Sequence, residues 1–253
     1  MEQLQYQMKA LRLSGMASVL PTRLQEAKAN ELPYEDLLAS LIQDELDLRK
    51  ERLLARRLKS ARFPFLKTLD NFDFSFNPGI KKQQILELAS SKFVIKSQGV
   101  LFLGPPGVGK SHLAIAIGIS AIQNGYSVRY ISAFDLVEDL AESSEMGNRK
   151  ETVSRYLKPD LLILDEFGMK RLPKTAAEDL LEIFHRRYLN GSIIIATNRP
   201  VDDWGKILGD NAATSAILDR FLENIHFIKI SGRSFRLKSS HAHELPIAKK
   251  AKT

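Results

Sequence analysis

The octet GPPGVGKS, Gly104 to Ser111, stands directly behind the apolar run GVLFL and, after His112, ahead of LAIAIGISAI. The spacing G-x-x-x-x-G-K-S between a strand and a helix is that of a P-loop. Gly104, Pro105, Pro106, Gly107, Val108, Gly109, Lys110, Ser111 and His112 then form a nucleotide-binding stretch. Backbone N–H groups of such a loop turn inward around phosphate oxygens, and the helix behind it adds its positive end. Lys110 reaches the outer phosphates and the Ser111 hydroxyl ligates Mg²⁺. A chance match on a glycine-rich turn is the competing reading, and a second element weighs against it.

That element is LLILDE, Leu161 to Glu166, an apolar strand with two carboxylates at its end. Asp165 is expected to hold Mg²⁺, through water, at the carboxyl end of the sheet. Glu166 beside it is placed to take a proton from an attacking water or to orient it, which favours hydrolysis over transfer to a bound alcohol. The bland alternative is a surface acid at a strand end. SIIIATN ends on Asn198, an uncharged amide suited to the γ-phosphate and the water if its strand lies beside that of Asp165 or of the P-loop; alone, Asn also opens turns. Arg220, in SAILDRFLENIHFIKI, is either an arginine finger for a neighbouring subunit or half of an Arg–Asp surface pair.

Positioning these residues takes a parallel sheet. From Ile80 the pattern alternates: helix (KKQQILELAS), strand (GVLFLG), helix (LAIAIGISAIQNG), strand (SVRYIS), helix (AFDLVEDLAES through SRYL), strand (DLLILD), helix (TAAEDLLEIFHRRYL), strand (SIIIAT), helix, strand (IHFIKIS). Strands alternating with helices predict an α/β fold, a parallel sheet covered on both faces. Before it, Leu37, Leu38, Leu41, Leu48 and Leu54 recur at helical spacing, with Pro33 suited to a first turn. The later part of that helix carries Arg49, Lys50, Arg52, Arg56, Arg57, Lys59 and Arg62, either a solvated face or a contact for nucleic-acid phosphates. The aromatic segment FPFLKTLDNFDFSFNPG reads as a linker that packs down. The expected organisation is a small all-helical domain over residues 1–66, the NTPase domain over 67–238 and a basic tail over 239–253.

The 253 residues are 44% hydrophobic and lack cysteine, which removes disulfides, zinc-thiolate sites and thiol nucleophiles. A start of MEQLQYQMKALRL and the absence of a long apolar run predict a chain without a membrane span, placed in the cytoplasm. Thirty-seven basic against 30 acidic residues give a net charge of +7, which points to a polyanionic partner. Part of that excess lies in the Lys-rich end, IAKKAKT. His112, His185, His226, His241 and His243 have no metal-site spacing, and no nucleophilic triad can be assembled.

In order, GPPGVGKSHLA, PDLLILDEFG, FHRRY, IIIATNRPVDDW, AILDRFLENIHFIKI and GRSFRLK resemble the IstB transposition helper ATPases of insertion sequences, relatives of the DnaC helicase loader and DnaA within the AAA+ class. The resemblance spans nearly the whole chain and implies an AAA+ fold with a helical N-terminal region and no sizeable C-terminal lid. It implies ATP and Mg²⁺ as cofactors, Lys110 and Ser111 as their ligands, Asp165 and Glu166 as the Walker B pair and Asn198 as sensor 1. Arg220 becomes a finger acting in trans, and Arg236 a second, nucleotide-sensing arginine. The chain departs from the family where Ala196-Thr197-Asn198 replaces T-S-N and Ser234-Phe235-Arg236 replaces S-Y-R. An extra helix after the second strand would line a DNA channel, with Arg149, Lys150 and Arg155 as phosphate contacts or as a plain solvated face. The implied partners are duplex DNA, bound with little sequence preference, a transposase, and further copies of the chain with ATP between them. A helicase loader is the alternative, and a small-molecule kinase would leave Glu166 and Arg220 without use.

Overall fold

The computed structural model describes residues 1–169, 174–208 and 212–235. Arg236 and residues 239–253, with His241 and His243, lie outside the described residues. The chain divides into two compact units, Met1–Arg57 and the chain from Leu58 onward.

The first unit is helical: α1 (Glu2–Ala10), α2 (Ser14–Ala29) and α3 (Tyr34–Ala61), in which the division falls. Pro33 immediately precedes α3, and its carbonyl accepts from the Leu37 N–H. Helices α2 and α3 cross closely at Gly15, where a Cβ would lie 2.9 Å from the Glu45 Cα. Glu45 accepts from the N–H groups of Gly15 (2.6 Å) and Met16 (3.2 Å), donors that the first turn of a helix leaves without partners. Around this crossing Arg49 donates to the Arg12 carbonyl, Arg52 to Ser14 Oγ, and Arg23 pairs with Asp44. Two arginines of the basic run are thereby committed to the unit's own loop. The leucines also divide: Leu41 is buried and Leu37, Leu48 and Leu54 are half-buried, whereas Leu38 faces outward.

The second unit runs α4 (Lys82–Ala89), α5 (Lys92–Ile95), β1 (Gly99–Leu103), α6 (Lys110–Gln123), β2 (Val128–Ser132), α7 (Ala133–Glu145), α8 (Arg149–Leu157), β3 (Leu161–Phe167), α9 (Lys174–Arg187), β4 (Ser192–Thr197), α10 (Trp204–Leu208), α11 (Ala212–Glu223) and β5 (Ile225–Lys229). The five strands are parallel in the order β2-β3-β4-β1-β5. Alternate residues face opposite sides, which sets the two cores. On one side α6 lies against the strands, with its Gly118 close to Ile163. On the other, Leu101, Ile131, Leu162, Leu164, Phe167, Ile193 and Ile195 join side chains from α7 to α11, including Phe184, Trp204 and Phe221, in one buried cluster. The parallel sheet covered on both faces is as the alternation predicts. No C-terminal domain follows β5 among the described residues.

Two helices, α7 and α8, follow the second strand, and Arg149, Lys150 and Arg155 lie on the second of them. Arg149 binds Asp179 (2.5 Å) and Glu182 (2.6 Å) of α9, and Arg155 lies 3.8 Å from Asp139 of α7. These arginines tie the helix to its neighbours; Lys150 is exposed.

At the amino end of the sheet the Arg187 guanidinium is enclosed by carbonyls. Its Nη1 donates to Tyr156 (2.8 Å) and Leu157 (3.2 Å), and its Nη2 to Pro159 (2.9 Å), Asp160 (3.1 Å) and Ser192 (2.8 Å). The end of α8 and the starts of β3 and β4 are thus held on one side chain.

Candidate functional site

The carboxyl end of the sheet collects the motif residues. Register pairs Leu103 of β1 with Thr197 of β4, and Phe167 of β3 with the same Thr197. The strand that leads into Asn198 therefore lies beside both the P-loop strand and the Asp165 strand. Between Leu164↔Ile195 and Phe167↔Thr197, β3 spends one residue more than β4, which is a bulge. Its product is Glu166 at φ 57°, left-handed backbone that side chains rarely adopt, with the carboxylate exposed between buried Asp165 and Phe167.

Asp165 is held at both oxygens. The Glu166 N–H donates to Oδ1 and the Tyr130 hydroxyl to Oδ2, each at 2.8 Å. Tyr130 stays a donor, because burial first and the Asp165 charge second push its phenol well above the usual tyrosine range. A cavity of about 540 Å³ opens in front, with Ser111, Tyr130, Ser132, Asp165 and Glu166 in its wall. Thr197 Oγ1 donates to the Phe167 carbonyl (2.7 Å) and accepts from the Arg199 N–H (3.0 Å), so the hydroxyl beside Asn198 ties two strand ends together. Asn198 itself is exposed.

The loop before α6 has a phosphate cradle's backbone. Gly107 and Gly109 have φ 81° and 103°, and Lys110 folds back to donate 2.8 Å bonds to the Gly104 and Pro105 carbonyls. Two segments brace it. Asn77 Nδ2 donates to the Val108 carbonyl (3.1 Å), Phe72 lies against Gly109, and His112 Nε2 meets the Thr68 carbonyl (2.9 Å). Burial keeps the His112 imidazolium disfavoured, below the usual histidine value. From the other side the Phe235 N–H donates to the Gly107 carbonyl (2.9 Å), and Phe235 packs edge-on against Phe76 with ring centres 5.0 Å apart. A second cavity, about 610 Å³, is lined by Phe76, Asn77, Pro78, Ser231, Gly232 and Arg233.

Arg220 is not brought to this site. It lies exposed in the last turn of α11, and the next element, β5, opens at Ile225 level with Gly99, the amino end of β1. No ion pair of Arg220 occurs among the described residues.

The residues fit a divalent cation of the hard, oxygen-seeking kind. Ser111 and Asp165 share one cavity wall, and Mg²⁺ takes one or two protein oxygens, completing its shell with water and phosphate. No cluster of three or more acidic, histidine or cysteine side chains occurs among the described residues, as expected for so sparse a site. Reasoning from sequence missed Tyr130, Phe76, Asn77 and Phe235. The aromatic richness of 63–79 was the available signal for Phe76; Tyr130 offered none, since its partner depends on strand order.

A phosphate loop on β1, paired carboxylates at the end of β3 and the order β2-β3-β4-β1-β5 define the P-loop fold of the AAA+ class. The chain belongs to the family of IstB-like ATP binding proteins, whose model matches residues 6–243. It is 36% identical over 238 residues to an ATP-binding protein of insertion sequence IS21 from Pseudomonas aeruginosa, covering 94% of this chain and 90% of the relative. A counterpart from insertion sequence IS5376 of Geobacillus stearothermophilus is 34% identical, covering 92% and 93%. Among solved structures, AMPPCP-bound DnaA from Aquifex aeolicus matches with TM-score 0.55 at 24% identity, over 72% of this chain and 57% of that one. DnaI matches with TM-score 0.56 at 20% identity, over 68% and 93%. At these identities the likeness to both is one of fold. No helix among the described residues is long and apolar enough to cross a membrane.

Proposed function

We propose that this protein is an ATP-hydrolysing helper of transposition that assembles on duplex DNA with ATP bound and presents that DNA to a transposase. The observation that carries the reading is the meeting of Ser111, Asp165 and Glu166 on one cavity wall at the mouth of the P-loop, in a chain whose relatives are named as ATP-binding proteins of insertion sequences.

Each residue has a defined task. The P-loop amides and Lys110 grip phosphate, and Ser111 and Asp165 hold Mg²⁺. When bound, the ion neutralises charge on the phosphate oxygens. Asp165 keeps its orientation through Tyr130 and the Glu166 N–H. Glu166, raised out of β3 by the bulge, accepts the proton of the attacking water, with Asn198 orienting that water. The cavity at Phe76 and Arg233 is of a size and polarity to take the nucleobase. Arg220 serves a neighbouring copy's ATP, a role supported by its exposure and its distance in the fold from its own P-loop. Arg236, beyond the described residues, is assigned to nucleotide sensing. ATP bound between copies shifts the population toward the assembled state, and hydrolysis relaxes it. DNA contact through lysine and arginine is salt-sensitive and poor in base specificity.

The test is to measure particle mass and duplex binding with ATP, ADP and no nucleotide, beside Lys110→Ala. Growth on duplex DNA with ATP alone is expected. Lys110→Ala should lose about 1.5–3 kcal/mol of ATP binding, roughly ten- to a hundredfold, and with it the assembly. Equal mass and equal DNA binding in all three nucleotide states would refute the reading, and a preference for single strands together with a helicase would replace it by a loader.

A further inference from the structure

The turn that follows β4 reaches across to the bulge of β3 on both sides of Asn198. Thr197 Oγ1 donates to the Phe167 carbonyl (2.7 Å), and Arg199 Nε donates to the Gly168 carbonyl (3.1 Å). These are consecutive carbonyls, the first of them next after Glu166 in the chain. Glu166 and Gly168 are both left-handed, at φ 57° and 79°, and the Met169 N–H closes back on the Glu166 carbonyl (3.3 Å). The bulge is thus a tight reversal whose outer side is tied to the turn of Asn198. Beneath it Trp204 is fully buried, packs on Phe167 with ring centres 4.5 Å apart, and donates its indole N–H to the Arg199 carbonyl (3.4 Å). The Thr197 carbonyl accepts from the N–H of Gly104, the first residue of the P-loop (3.2 Å).

Arg199 stands apart in this network because its side chain is exposed. One bond from a solvated arginine to one carbonyl adds little to the stability of a fold. What it sets is position. Gly168 lines the cavity together with Asp165 and Glu166, and Asn198 directly precedes Arg199. A base takes a proton only from within hydrogen-bond reach, and a misplacement of about 1 Å can cost about a hundredfold in rate.

We propose that Arg199 is a positioning residue for ATP hydrolysis: its Nε–Gly168 bond sets the turn bearing Asn198 against the bulge bearing Glu166, so that amide and carboxylate address the same water. This role rests on the hydrolysis proposed above and deepens it. The competing role for the side chain is a positive charge toward the phosphates, carried by Nη groups that bond to nothing among the described residues. A guanidinium dedicated to phosphate, however, has no need of a tether to a carbonyl, still less of one matched by Thr197 on the carbonyl before it.

Three side chains separate the two roles. Gln places its amide nitrogen where arginine has Nε and carries no charge; Lys keeps the charge without a donor at that position; Met has similar length and neither. In the full chain with Mg²⁺, ATP and duplex DNA, Arg199→Met should lower kcat about tenfold to a hundredfold, with KM for ATP changed by less than about twofold. Arg199→Gln should recover most of that loss, and Arg199→Lys should stay close to Met. Fluorescent-ATP titrations and thermal melts should match the parent for all three variants, since the side chain is exposed. Arg199→Lys as fast as the parent, with Arg199→Gln as slow as Met, overturns the latch in favour of a charge at the phosphates. Arg199→Met as fast as the parent overturns it outright, as does lost turnover that tracks a lowered melting point. A parent that hydrolyses no ATP removes the proposed function along with it, so the parent's own rate tells the two failures apart.

Discussion

Arg187 and Asp165 are both buried charges on the same sheet, 1% and 3% exposed, yet they are treated oppositely. At the amino end Arg187 is closed in by five carbonyls, has no carboxylate bonded to it among the described residues, and is depressed by burial to about 10. At the carboxyl end Asp165 has one partner on each oxygen and keeps remaining lone pairs toward a cavity. A buried charge whose two Nη groups are turned wholly onto backbone carbonyls, with its Nε enclosed and unbonded, is architecture. One held in place with capacity to spare is a site.

The largest effect should come from the closed end. Arg187→Met keeps much of the volume but strips donors from five carbonyls, and about 3–5 kcal/mol of stability should go in urea unfolding. Arg187→Lys should recover less than half of that, because an ammonium concentrates its donors at one point and cannot span carbonyls on two sides. A loss below about 1 kcal/mol for Met would mean that water replaces the guanidinium, and the contrast between the two ends would fail.

How much of this was legible before folding follows the same divide. The P-loop and LLILDE are contiguous, so strand, cradle and carboxylates declare themselves in a few residues each. Asn198 was tied to whichever strands flanked its own, and β4 turns out to have both as neighbours. Arg187 could not be read, because its acceptors come from residues 156–160 and 192 and meet only once β3 pairs with β4. Tyr130 escaped for the same reason: its bond to Asp165 needs β2 beside β3 with Ser132 level with Asp165. On α3 the leucines were seen as one stripe, since a long helix apolar on two faces gives a weak phase; burial separates Leu41 from Leu38.

At the open end, Tyr130→Phe isolates the clamp on Asp165. Losing one hydrogen bond to a charged group should cost about 1.5 kcal/mol, felt as weaker Mg²⁺ dependence rather than weaker nucleotide binding. Fluorescent-ATP titrations should then show Mg²⁺ half-saturation raised roughly tenfold, with affinity in EDTA unchanged. A lower melting point with an unchanged Mg²⁺ titration would demote Tyr130 to packing.

The smallest change in fold stability is expected at Glu166, and its sign is what matters. Left-handed backbone strains a residue bearing a Cβ by about 1 kcal/mol or more, whereas glycine adopts it freely but gives back part of the gain as unfolded-state entropy. Glu166→Gly should therefore be as stable as the parent or up to about 1 kcal/mol more so, while ATP hydrolysis falls about a hundredfold or more with the loss of the base. Glu166→Ala, which keeps the Cβ, should lose the same activity without the gain. Opposite movement of stability and turnover at one residue is the signature of a bulge maintained for chemistry; if glycine there destabilises the fold, the carboxylate is part of the architecture and belongs with Arg187.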